Sequence, residues 1–112
     1  MLHEKLDCYQ KSLKLAEDIG KDCAKWRRGF GYLHDQVMRA MTSVVLNTSE
    51  GNAKRSHADR RRFFEISRAS ANEASSCVDL MKVFGLTTQE KVIEYKSTLV
   101  EISKMLWGLM KV

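Results

Sequence analysis

A chain of 112 residues with 44% hydrophobic and 29% charged side chains has the balance of one modest globular core, which excludes a disordered or fibrous protein and leaves no room for a second domain beside residues 1–112. A net charge of +5 and a pI of about 9.2 point to an anionic partner. Proline is absent, so nothing in the chain forces a break in a long helix.

The first predicted helix covers Leu2 to Trp26. Leu2, Leu6, Tyr9, Leu13, Ala16, Ile19, Cys23 and Trp26 follow one another at three or four residues and form its apolar stripe. Gly29 and Gly31 then mark a helix end and turn. The second helix covers Tyr32 to Ser49, with Leu33, Val37, Ala40, Met41, Val44, Val45 and Thr48 on its apolar side. A second stripe of Gln36, Arg39, Ser43, Asn47 and Glu50 runs along one edge of the same helix. Gly51 and Asn52, the residues most tolerant of left-handed backbone angles, are expected to stop it.

Ala53 to His57 reads as a basic connector, and Ser56 followed by Asp59 resembles an N-cap with an acidic first turn. The third helix covers Ala58 to Phe84, its inward face carrying Phe63, Ile66, Ser70, Glu73, Cys77, Leu80, Met81 and Phe84, with Ala69 and Ala74 alongside. Gly85 is the expected C-cap, and Thr87 with Glu90 matches a capping box for a fourth helix over Thr88 to Lys111. That helix offers Val92, Ile93, Tyr95, Leu99, Ile102, Met105, Leu106, Leu109 and Met110 at helical spacing. Four amphipathic helices joined by short turns predict an all-α, antiparallel up-down four-helix bundle.

In the second and third helices the residues Leu33, Gln36, Arg39, Ala40, Ser43, Val44, Asn47, Glu50 and Gly51 spell R-A-x-x-S-V-x-x-N-x-x-E-G, followed by Arg55, Ser56, Phe63, Ala69, Ser70, Glu73 and Leu80. This pattern resembles a family of small four-helix-bundle proteins first noticed as reading frames inside intervening sequences of bacterial 23S ribosomal RNA genes. Weaker similarity extends over the first helix and the closing I-S-K-M-L-W-G-L-M segment. The resemblance implies a closed homo-oligomer, a pentamer. A related group, the accessory variability determinants of diversity-generating retroelements, looks like the same bundle and implies a reverse transcriptase and nucleic acid as partners.

From Lys54 to Arg62 five basic residues, Lys54, Arg55, Arg60, Arg61 and Arg62, face Asp59 alone. With His57 and with Arg68 further along the helix, they form a candidate nucleic-acid-binding surface, since Lys and Arg on phosphates gain affinity by releasing counterions. The competing reading is a solvated charge run. Gln36, Arg39, Ser43, Asn47, Glu50, Ser70 and Glu73 are expected to form a structural polar seam between the second and third helices, with Arg39 paired to an inward Glu73. Glu50 and Arg68 form a second candidate pair. Trp26, Trp107, Tyr9, Phe63 and Phe84 sit at stripe positions and read as packing residues, leaving Phe30 and Tyr32 as the exposed aromatics.

The odd, widely spaced cysteines Cys8, Cys23 and Cys77 fit neither a zinc site nor a disulfide framework and suit a reducing, cytoplasmic setting. No signal-like apolar run opens the chain, no stretch approaches the roughly 20 apolar residues of a membrane span, and His3, His34 and His57 stand apart from other ligand types. No catalytic constellation, metal site or cofactor motif emerges. The expected function is a basic oligomeric accessory protein that binds RNA or DNA backbone, not an enzyme; the alternative is a protein-interaction scaffold.

Overall fold

The computed structural model describes residues 2–112, which form four α-helices: α1 (Leu2–Cys23), α2 (Gly31–Ala53), α3 (His57–Val83) and α4 (Gln89–Met110). There is no strand among the described residues. The helices make a rod of 45 × 23 × 18 Å in which each packs against two neighbours, in the ring order α1, α2, α3, α4.

Chain-end chemistry explains most of the boundaries. Ser56 caps α3 by accepting from the Asp59 amide at 3.1 Å, as its spacing predicts. Gly85 takes a φ of 69°, and the Gly85 and Leu86 amides return to the carbonyls of Lys82 and Met81, which closes α3 in the way glycine permits after a helix. The predicted stop at Gly51 and Asn52 does not occur; α2 continues to Ala53. Gly51 is needed there for space, because a Cβ on it would lie 2.5 Å from the Phe64 ring. The cap of α4 also differs: Thr88, not Thr87, accepts from the Lys91 amide at 3.2 Å, and Thr87 is engaged elsewhere. Helix α1 ends at Cys23, three residues short of the predicted Trp26.

The inward faces of α2 and α4 follow their periodicity. Every residue of the predicted α2 stripe is buried, as is the α4 stripe apart from exposed Ile93 and half-buried Met105. Helices α1 and α3 are turned from expectation. In α3 the buried residues are Phe64, Ser67, Ala71, Ala74, Cys77, Val78 and Met81, while Ile66, Glu73 and Leu80 lie exposed and Phe63 and Ser70 half-buried. In α1 Cys8, Ser12, Leu15, Ile19, Asp22 and Cys23 turn inward, and Leu2, Leu6 and Leu13 are exposed. One residue of offset rotates a helix by about 100°, so apolar residues one step away shift part of the face, while Ile19, Cys23, Ala74, Cys77 and Met81 are buried as expected. Small inward residues on α3 allow close approach to α2, and their hydroxyls are mutually satisfied: Thr48 bonds Ser67 at 2.9 Å, and Ser67 donates to the Val44 carbonyl at 3.0 Å.

Candidate nucleic-acid interface

At one end of the rod the start of α3 meets the last turn of α4. The Nε2–H of His57 donates to the Met110 carbonyl at 2.8 Å, which fixes the ring as a tie between the two helices. Arg60 donates from Nη1 to the Arg55 carbonyl and from Nη2 to the Val112 carbonyl, both at 2.7 Å. Lys5 brings α1 to the same end by donating to the Asn52 carbonyl at 3.3 Å.

The seven predicted contact residues divide by their partners. Lys54 faces Glu50 at 3.6 Å, Arg61 faces Glu65 at 3.1 Å and Arg62 faces Asp59 at 3.8 Å. These are exposed helical pairs, each worth well under about 1 kcal/mol and readily exchanged for a phosphate. Arg55, Arg60 and Arg68 have no ion pair among the described residues, nor does Lys111 close by, a cation that sequence reasoning passed over. Arg60 spends two of its donors on the backbone oxygens of Arg55 and Val112, which hold its guanidinium against the end of α4. Arg68 leaves α2 alone and turns to α4, where its Nε donates to Ser103 Oγ at 3.1 Å. The predicted Glu50–Arg68 pair is thus replaced by Glu50–Lys54, for which one helical turn brings the charges together.

The polar seam forms in part. Ser43 and Ser70 share a hydrogen bond of 2.6 Å across α2 and α3, and Asn47 Nδ2 donates to the Ser43 carbonyl at 2.9 Å and its Oγ at 3.0 Å. Gln36 Nε2 donates to Glu73 at 2.7 Å. Arg39 and Glu73 do not pair: both are exposed, Gln36 occupies the Glu73 carboxylate, and Arg39 lies on the outer side of α2. Since α3 is turned, Glu73 is not an inward charge and needs no buried counterion.

The most built polar cluster lies at the opposite end and was missed in the sequence. Asp22, only 5% exposed, accepts from Thr87 Oγ1 at 2.7 Å, Tyr95 OH at 3.0 Å and Trp26 Nε1 at 3.2 Å, with Lys91 Nζ 4.0 Å away. It fastens the end of α1 to the α3–α4 turn and to α4. Burial, and then the hydrogen bond to Asp22, push the Tyr95 phenol above its ordinary pKa. The sole sequence signal was Asp22 lying between apolar Ile19 and Cys23 on a buried stripe.

Among the described residues Arg39, Glu50 and Glu73 do not converge, and no group of three or more His, Cys, Asp or Glu side chains could hold a metal ion. The three cysteines are buried and free, and burial pushes Cys8 up to about 11 and Cys23 up to about 12, away from the reactive thiolate. A groove of about 570 Å³ between α1 and α4 is open and lined by mixed charges, among them Asp7, Lys11, Lys14, Asp18 and Glu94. Among the described residues no helix is long and apolar enough to cross a membrane.

The 23S rRNA-intervening sequence protein family profile matches residues 4–108, nearly the whole length. The chain belongs to that family. Among solved structures, the four helices superpose on a protein of unknown function from the S23 ribosomal protein family of Bacteroides thetaiotaomicron VPI-5482 with a TM-score of 0.86 and 24% identity, over 97% of this chain and 99% of the other. No curated protein matches the chain. In this chain the α2 pattern around Asn47, Glu50 and Gly51 lies where α2 ends, with Gly51 against Phe64, and the basic connector begins.

Proposed function

We propose that this member of the family is an oligomeric basic protein that captures RNA or DNA through the phosphate backbone, with little base readout and no catalytic step. The observation that carries the reading is the set of cations with no Asp or Glu partner among the described residues, Arg55, Arg68 and Lys111, gathered with Arg60 along α3 and the end of α4. Beside them Lys54, Arg61 and Arg62 sit in exposed pairs that a phosphate can displace. The family's link to intervening sequences of 23S rRNA supports an RNA setting.

The chain runs up and down through the bundle, a course supported by the ties of Lys5 to Asn52 and His57 to Met110 at one end and of Asp22 to Thr87 at the other. Copies close into a ring, a pentamer as the family resemblance implies. Exposed Leu46, Ile66, Leu80, Ile93 and Val100 on the flanks of the rod supply apolar surface for contacts between copies. Symmetry then repeats the cationic end around one axis and multiplies its field.

The same exposed apolar residues support a second reading, a scaffold that recruits a protein and ignores nucleic acid. Light-scattering mass and RNA retention on a filter separate the two. The variant Arg55→Ala with Arg61→Ala should keep its mass and helicity and lose at least about tenfold in affinity for unrelated sequences alike. Equal retention of variant and parent, or no retention of either at low salt, would exclude the basic end as the binding surface.

A further inference from the structure

The periodicity of α4 makes Trp107 a packing residue, yet it is 43% exposed in the fold. The two tryptophans of the chain differ sharply. Trp26 is committed within the protein, its N–H on Asp22 and its ring edge against His34. Trp107 stands at the cationic end with no hydrogen bond from its indole N–H among the described residues. Two positive groups lie against its ring: the Arg68 guanidinium 5.2 Å and the Lys111 ammonium 4.8 Å from the centroid. The bond from Arg68 Nε to Ser103 Oγ pins that guanidinium to α4. Neither cation has a carboxylate partner among the described residues, so the electropositive track from Arg55 and Arg60 continues to this ring.

We infer that Trp107, Arg68 and Lys111 form a stacking platform for an unpaired base, which makes single-stranded nucleic acid the preferred ligand. The inference rests on the backbone-binding reading and adds to it the class of strand. A nucleotide offers a flat π-face and an anionic phosphate, and the cluster offers a partly exposed ring with two cations over it, which a phosphate can draw aside as the base takes the ring face. Bases of a duplex are paired and stacked on one another, out of reach of a ring on a convex helix surface. The strand's phosphates would lie along Lys111 and Arg68 and continue toward Arg60. Stacking is indifferent to the sugar, so RNA and DNA single strands both qualify.

The test measures anisotropy of one labelled oligonucleotide as single-stranded RNA, single-stranded DNA and duplex DNA, with the full chain, Trp107→Ala and Trp107→Tyr. Trp107→Ala should weaken both single strands about tenfold, leave the duplex within about twofold, and be largely restored by Trp107→Tyr, which keeps an aromatic face. A common loss on all three ligands, or no loss on either single strand, would overturn the platform while leaving backbone capture standing. Failure of the parent chain to bind any of the three would overturn both. Trp107 is partly exposed, and matching circular dichroism of the variants distinguishes a lost platform from a lost fold.

Discussion

The two ends of the rod treat polar side chains in opposite ways. At the Asp22 end a buried carboxylate gathers donors inside the chain: Thr87, Tyr95 and Trp26 converge on it, and Arg27 nearby donates to the Phe84 carbonyl at 2.8 Å. At the His57 end basic side chains outnumber acidic ones, and exposed Arg55 and half-buried Arg68 have no Asp or Glu partner among the described residues. The first arrangement ties helices together and stabilises the fold. The second gains little stability from its charges and is left open to an anion from outside.

Substitutions should separate the ends into stability and binding. Asp22→Ala is expected to lose about 3 kcal/mol in denaturant unfolding, because buried Tyr95 and half-buried Trp26 and Thr87 lose one shared acceptor, with no loss of RNA affinity at temperatures where the chain remains folded. An unchanged midpoint would show that water replaces the carboxylate without penalty. Gly51→Ala should cost about 2 kcal/mol, since the new methyl would meet the fully buried Phe64 ring. A neutral result would mean the ring can move aside.

Tyr95→Phe should cost about 1 kcal/mol at neutral pH by removing one hydrogen bond to Asp22. It also changes the alkaline limb. The Tyr95 phenol has a raised pKa in the fold, so its contribution is intact below the ordinary value of 10.0 and is lost as pH climbs above it, where the unfolded chain releases a proton the folded chain retains. Stability measured on both sides of that pH should fall less steeply in Tyr95→Phe than in the parent. Parallel curves would remove the phenol from the alkaline loss. The smallest expected effects are those of Arg39→Ala and Glu73→Ala, each under about 0.5 kcal/mol, because both side chains are exposed and unpaired with each other.

The fold was legible where one stripe dominates a helix. Helix α2 has a single apolar face, and its buried residues follow directly from spacing. Helices α1 and α3 each carry apolar residues on two adjacent faces, and only the packing of neighbours decides which turns inward; Ser67 and Ala71 won over Ile66 and Ser70 because small side chains fit the close α2 contact. That rotation also undid the Arg39–Glu73 pair, which was inferred from the wrong face. The basic end was legible as a charge run. Its division into paired and unpaired cations was not, since it depends on Glu50, Asp59 and Glu65 one helical turn away and on the chain terminus folding back to Arg60. Trp107, like Ile66, sits at a packing position by spacing: spacing gives a face, and a face alone does not say whether a neighbour covers it.

The most direct test is the apparent affinity of the intact protein for a labelled RNA across a salt series. Capture by uncompensated cations requires affinity to fall along a straight line in log salt, losing about a hundredfold or more between about 50 and 200 mM if some six phosphates are engaged. A flat line, or no measurable binding at the lowest salt, would contradict the role assigned to the arginine-rich end.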